Sequence, residues 1–255
     1  MKSASGAILG LMILAGLLTA APARAEDLVV SCEVPDYLLA SESALPKVAE
    51  AIKSGHSLDI FVLGSRSSTI NTTNASEASA YPGRLQDILK EKLPSNAVNV
   101  SVEIQPKKTA EEMAAGMVKL MEGKKPTLVI WQTGTVDAMR STDPDDFRGA
   151  VDEGVVALQE AGADVILMNP QYSPRTETMI SASPYLDSMR VVAQQHDVPL
   201  FDRFAIMQHW NESGEFDLFS TFHGIELAKR VHDCLGRALS RFVIDAAHVN
   251  PDQQN

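Results

Sequence analysis

The chain has 255 residues, 45% hydrophobic and 22% charged, with a formal net charge of −11. That length and apolar fraction suit one globular domain with a sizeable core. The acidic balance argues against nucleic acid or an anionic membrane surface as partner, since both are bound through basic patches.

The N-terminus differs from the rest. Lys2 precedes an apolar run, Ala7 to Ala21, and then Ala23-Arg24-Ala25. A basic start, a short apolar core and an A-x-A end predict a secretory signal peptide cleaved after Ala25. The run is too short and too rich in Ala and Gly for a membrane span, so no span is expected in the mature form. An uncleaved anchor is one alternative. A lipoprotein site at Val29-Val30-Ser31-Cys32 is another, weakened by Glu26 and Asp27 ahead of the cysteine. The only cysteines are Cys32 and Cys234. In an exported protein two cysteines pair, which would clamp the start of the mature chain to its last long helix.

Downstream, short apolar runs alternate with helical patterns. Leu58–Leu63 predicts a strand, Gly64–Thr69 a turn and Tyr81–Leu93 a helix. Val98–Ile104 alternates as a strand should, and Thr109–Met121 opens with a capping-box pattern, Thr109 to Glu112. Strand Pro126–Trp131, helix Asp143–Ala161, strand Ala163–Met168, helix Pro184–His196, short strand Val198–Phe201 and helix Gly224–Val243 follow. The alternation predicts an α/β fold, a flavodoxin-like three-layer α/β/α sandwich around a mostly parallel five-stranded sheet. Sites should gather where the strands end, around Gly64, Gln105, Gln132 and Asn169.

The turn after the first strand carries Ser65, Ser67, Ser68 and Thr69, all possible hydroxyl nucleophiles. Gly64-Ser65-Arg66-Ser67-Ser68-Thr69, then Ala80-Tyr81-Pro82-Gly83-Arg84-Leu85, resembles the first block of the SGNH/GDSL hydrolases. Trp131-Gln132-Thr133-Gly134-Thr135-Val136-Asp137 resembles their third block, and Ser220-Thr221-Phe222-His223-Gly224 stands where D-x-x-H belongs. Met168-Asn169-Pro170-Gln171-Tyr172 and Pro199-Leu200-Phe201-Asp202-Arg203-Phe204 are similar to exported bacterial members. The resemblance assigns residues 26–245 to one hydrolase-like domain, between signal peptide 1–25 and tail 246–255.

The resemblance implies ester hydrolysis by a serine nucleophile and a histidine base. In the simplest alignment the nucleophile position falls on Arg66. If Arg66 is a one-residue insertion, Ser67 is the nucleophile; Ser65 is the second candidate; the alternative is that these hydroxyls only cap the turn. His223 is the candidate base, because a serine hydroxyl needs one to attack. The orienting Asp of the family is replaced by Ser220, and Asp217 lies nearby as a substitute. His196, His209, His232 and His248 are read as structural or exposed.

The oxyanion donors of the family are depleted as well. The second block, Ile104-Gln105-Pro106-Lys107-Lys108-Thr109, has no glycine, Pro106 has no N–H, and Val136 replaces the asparagine. Lys107 and Arg66 either compensate with positive charge or are solvated loop charges. Gly134 is expected to let the backbone turn tightly, and Asp137 to hold its loop. Trp131 and Trp210 are read as packing residues, or as platforms for a sugar ring.

No H-E-x-x-H, cysteine cluster or phosphate-binding glycine loop occurs, so neither a metal nor a nucleotide cofactor is expected. The first functional reading is a cell-envelope acyl or acetyl esterase acting on a small-molecule or polysaccharide ester. The alternative is a catalytically inactive member of the same fold that binds a carbohydrate or an envelope partner, because four block positions depart together. A structural envelope protein is a third reading, for which no assembly motif speaks.

Overall fold

The computed structural model describes residues 31–70, 77–220 and 224–248. The expected signal peptide and residues 249–255 lie outside them. Helices α1 (Asp36–Leu39) and α2 (Pro46–Lys53) lead into β1 (Leu58–Gly64). A single 3₁₀ turn over Arg66–Ser68 follows, and later α3 (Tyr81–Lys92), β2 (Val98–Ile104), α4 (Ala110–Ala114) and α5 (Met117–Met121). Strand β3 (Leu128–Gln132) runs into α6 (Thr135–Arg140) and α7 (Pro144–Glu160). Strand β4 (Asp164–Met168) precedes α8 (Pro174–Glu177) and α9 (Ser183–Gln195). The short β5 (Leu200–Phe201) precedes α10 (Arg203–Glu212), and α11 (Gly224–Ala246) comes last.

The five strands pair in parallel in the order β2-β1-β3-β4-β5. Every residue of β3 and β4 is buried, as expected of a parallel sheet covered on both faces. Successive side chains point to opposite faces, which divides the interior in two. Ile60, Val62, Leu128 and Ile130 join one core with Leu85, Leu89, Trp210, Leu239 and Phe242. Phe61, Leu63, Val129 and Trp131 join the other with Met113, Val151, Val155 and Met189. The three-layer sandwich is thus in place, and among the described residues no helix is long and apolar enough to cross a membrane.

The Cys32–Cys234 disulfide spans 202 positions and joins the start of the described chain to α11, with the two Cα atoms 5.0 Å apart. Five helices, α1, α2, α6, α8 and α10, were not expected. The buried residues of α10, Arg203, Phe204, Ile206, Met207 and Trp210, share one face, but an arginine stands among them and breaks the greasy stripe that would betray the helix. The predicted helix 109–121 is two short helices. Its capping box is present, with Thr109 Oγ1 accepting from Glu112 N and Glu112 Oε2 from Thr109 N, but the chain turns at Ala115-Gly116, where glycine weakens helical order.

Candidate active site

The order of the sheet reverses between β1 and β3, and α/β proteins bind ligands in the crevice beyond such a switch point. Gly64 ends β1 and Gln132 ends β3 there. The turn after Gly64 doubles back so closely that a Cβ on this glycine would lie 2.3 Å from Ser68 Oγ. That tight fold-back points the three serines at Gln132.

The Gln132 side chain organises them. Its Oε1 accepts the Ser65 N–H at 3.0 Å and lies 2.9, 3.2 and 3.2 Å from the hydroxyls of Ser65, Ser67 and Ser68. A carbonyl oxygen has two lone pairs, so four donors compete for it and no hydroxyl is locked. Ser68 is fully buried and also meets Tyr81 OH at 2.9 Å. Ser65 and Ser67 are half-buried, 3.3 Å apart between hydroxyls, and line an open groove of about 680 Å³.

Beneath the groove lies Arg203, 1% exposed. Its Nη1 donates to Ser67 Oγ at 3.1 Å, and its Nη2 donates to Ser67 O and to Gln171 Oε1, both at 3.0 Å. The guanidinium also sits over the Tyr81 ring, 5.8 Å from its centroid. Among the described residues no carboxylate pairs with it. Burial lowers its pKa to about 10, with Tyr81 opposing, so it stays a cation at neutral pH. Burial also raises the pKa of Tyr81, against Arg203 and the bond to Ser68, so this phenol stays neutral.

Asn169, expected among the site loops, reaches the groove only through this arginine. Its Nδ2 donates to Asp202 Oδ1 at 2.7 Å and its Oδ1 accepts the Phe204 N–H at 2.9 Å. Asp202 also caps α10 by accepting the Ala205 N–H. Both residues flanking Arg203 are therefore held, which fixes where its side chain starts.

The remaining groove wall comes from the second and third blocks. Lys107 stands at φ 66°, the left-handed region that favours glycine, and its carbonyl takes a hydrogen bond from Arg140 Nη2 at 2.8 Å. The second block thus keeps a glycine-like backbone without the glycine. Gly134 itself stands at φ 92°, with Pro170 Cγ 3.1 Å from where a Cβ would be. Val136 and exposed Met139 form an apolar shelf beside Arg66 and Lys107. Asp137 points away from the groove: it is 1% exposed and its Oδ1 takes the Ala110 N–H at 2.9 Å, tying α6 to α4. Burial raises its pKa.

His223 and its neighbours Thr221 and Phe222 lie outside the described residues. Asp217 is exposed, and its Oδ1 accepts the N–H groups of Phe219 and Ser220 within its own turn. His232, read as structural or exposed, is buried and lines the groove. Its Nδ1 accepts the Tyr81 N–H at 3.0 Å, and its ring stacks on Tyr81 with centroids 5.8 Å apart. Burial, then the charge of Arg203, lowers its pKa to about 3, which makes it a neutral structural acceptor rather than a base. Trp131 and Trp210 are both fully buried in the cores, so neither offers a platform to a sugar. Gln132 stands at a strand end where a site was expected, whereas Arg203, Tyr81 and His232 were its unexpected members. Arg203 had a usable signal, an arginine two residues past a short strand end in a stretch otherwise apolar but for Asp202.

The sequence model of the non-GDSL lipase-like family matches residues 31–249. No curated protein matches the chain. Solved structures do. TesA aligns at TM-score 0.55 and 18% identity, over 71% of this chain and 97% of its own. Axe2, an acetylxylan esterase from Geobacillus stearothermophilus, aligns at TM-score 0.59 and 15% identity, over 77% and 97%. A two-domain esterase (CEX) active on acetylated mannans aligns at TM-score 0.61 and 14% identity, over 84% of this chain and 57% of its own. At these identities the likeness is one of fold.

Proposed function

The chain belongs to the non-GDSL lipase-like family, and on that premise we propose that it is an exported esterase that removes acyl or acetyl groups from a saccharide, with Ser67 as nucleophile. The observation that carries this reading is the hydrogen bond from buried Arg203 to Ser67 Oγ. A cation donating to a hydroxyl favours its alkoxide over its neutral form, most strongly in a poorly solvated site. Ser65 lacks this contact, so of the two half-buried hydroxyls Ser67 is the better nucleophile. The saccharide is suggested by the esterases of like fold that act on acetylated mannans and xylan.

In the proposed reaction Ser67 Oγ bonds to the ester carbonyl carbon while its proton passes to a base. His223, directly before α11 in sequence, is our candidate. Collapse of the tetrahedral intermediate breaks the bond to the alcohol oxygen, which leaves with that proton, and water then releases the acid from the acyl-enzyme. The Ser67 N–H stands early in the 3₁₀ turn, where amides lack an acceptor within the turn, and it is our first oxyanion donor. Lys107 and Arg66 are placed to add charge. Export is supported by the disulfide and by the expected cleavage after Ala25.

The test is hydrolysis of p-nitrophenyl acetate and of acetylated xylo-oligosaccharides by the mature protein, beside Ser67→Ala and His223→Ala. Turnover abolished in both variants supports the reading. A wild-type protein that releases no acetate from any ester offered, yet binds the oligosaccharides, would establish instead a carbohydrate-binding member without catalysis.

A further inference from the structure

We propose that the groove over Ser67 takes an acidic saccharide, with Arg66 and Lys107 binding its negative charge beside the reacting ester. The inference rests on the saccharide part of the functional reading but not on catalysis itself.

Charge carries it. The protein has a net charge of −11, so a random stretch of its surface is acidic. The groove is the reverse: among the described residues its lining includes Arg66, Lys107 and Arg140 and not one carboxylate. Arg140 is already engaged, holding Lys107 O at 2.8 Å and pairing with Glu112 at 3.3 Å. Arg66 and Lys107 are exposed and form no ion pair among the described residues. Below them the buried guanidinium of Arg203 adds a third positive charge with no carboxylate partner there. A concave site with one sign of charge and low-dielectric walls focuses its field on the opening.

The backbone shows the same bias. Lys107 holds a left-handed conformation, φ 66°, which is disfavoured for a non-glycine residue. The bond from Arg140 secures that conformation and sets the lysine at the lip. Beside it, Val136 and Met139 offer an apolar shelf, suited to the C–H face of a sugar ring. A volume of about 680 Å³ falls within the range of small-ligand pockets. A guanidinium can hold a carboxylate or a sulfate with two parallel bonds and an ammonium adds a point charge. Both a uronate and a sulfated sugar supply the required anion.

Calorimetric titration of the mature protein with three ester-free probes of matched length separates the possibilities: oligogalacturonate, a sulfated xylo-oligosaccharide and plain xylo-oligosaccharide. We expect an acidic probe to bind about 10-fold or more tighter than the neutral one at low salt, and the advantage to shrink as salt screens it. Arg66→Gln and Lys107→Gln, at exposed positions that leave folding intact, should each remove several-fold of the advantage. The tighter of the two acidic probes identifies the anion as carboxylate or sulfate. Equal affinity for acidic and neutral probes, or variants that bind the acidic probe as wild type does, would overturn the proposal. Because the probes carry no ester, acid-selective binding with no esterase activity leaves this subsite standing and sinks the hydrolase reading. Ester turnover with no acid selectivity does the opposite.

Discussion

The guanidinium of Arg203 donates to the hydroxyl of Ser67 across 3.1 Å from a position that is 1% exposed. A buried cation without a carboxylate is costly to keep. Burial lowers its pKa to about 10. Above about pH 10 the native chain gives up a proton that the unfolded chain still holds, so below pH 10 the buried charge opposes folding, by about 3 kcal/mol at 1.36 kcal/mol per unit.

That cost predicts an uncoupling of stability from activity. Arg203→Met removes the charge and keeps much of the volume, and water can reach the half-buried Gln171 that it leaves behind. Ester turnover should fall by roughly 100-fold or more, the scale of losing one electrostatic stabiliser, while the melting temperature stays level or rises. A variant that melts well below wild type would mean that Arg203 holds the site together rather than tuning Ser67.

The two serines should differ. Ser67→Ala should abolish turnover, whereas Ser65→Ala, which removes a competitor for Gln132 Oε1 and a neutral contact to Ser67 Oγ, should cost less than about 10-fold, the order of one neutral hydrogen bond. A reactive phosphonate ester followed by peptide mass spectrometry checks this directly. The adduct is expected on Ser67, and an adduct on Ser65 would move the nucleophile there.

Acid should weaken the fold through His232. Its pKa falls from 6.5 unfolded to about 3 folded, so in that window the unfolded chain binds the extra proton. The stability due to the neutral ring is complete above 6.5 and drains away as pH falls toward 3. Asp137 and Asp164 act the other way, since burial raises their native pKa values. Urea unfolding at neutral pH and near pH 4 should show a loss from His232 of order 3 kcal/mol. His232→Asn, which keeps an acceptor for the Tyr81 N–H, should lose correspondingly less. Equal losses in both proteins would assign the acid sensitivity elsewhere.

Reduction should destabilise the protein. Closing a loop of 202 positions contributes about 4–5 kcal/mol in the chain-entropy account. Cys32→Ser with Cys234→Ser should therefore lower the melting temperature by many degrees, and a reductant should do so in wild type but not in the double variant.

Much of the fold was legible in the chain. Strand Val98–Ile104 announces itself by alternation at the period of a pleat, and Leu58–Gly64 by a short apolar run bounded by turn residues. The long amphipathic helices follow from one greasy face each. Helix Arg203–Glu212 was hidden because the charge of Arg203 interrupts its buried face, and β5 proved only two residues long because its neighbour β4 pairs with it only at Leu200 and Phe201.

The sequence by itself determined the alternation of strands and helices, the cysteine pair and the cluster of serines at the end of β1, because these depend on local period and residue type. Only the tertiary structure decided which serine meets a cation. Ser67 and Arg203 lie 136 positions apart, and their contact depends on β1 and β5 standing in one sheet while Asn169 holds the start of α10. A hydrogen bond has a range of about 3 Å, and no periodicity along a chain encodes a distance of that kind between its far ends.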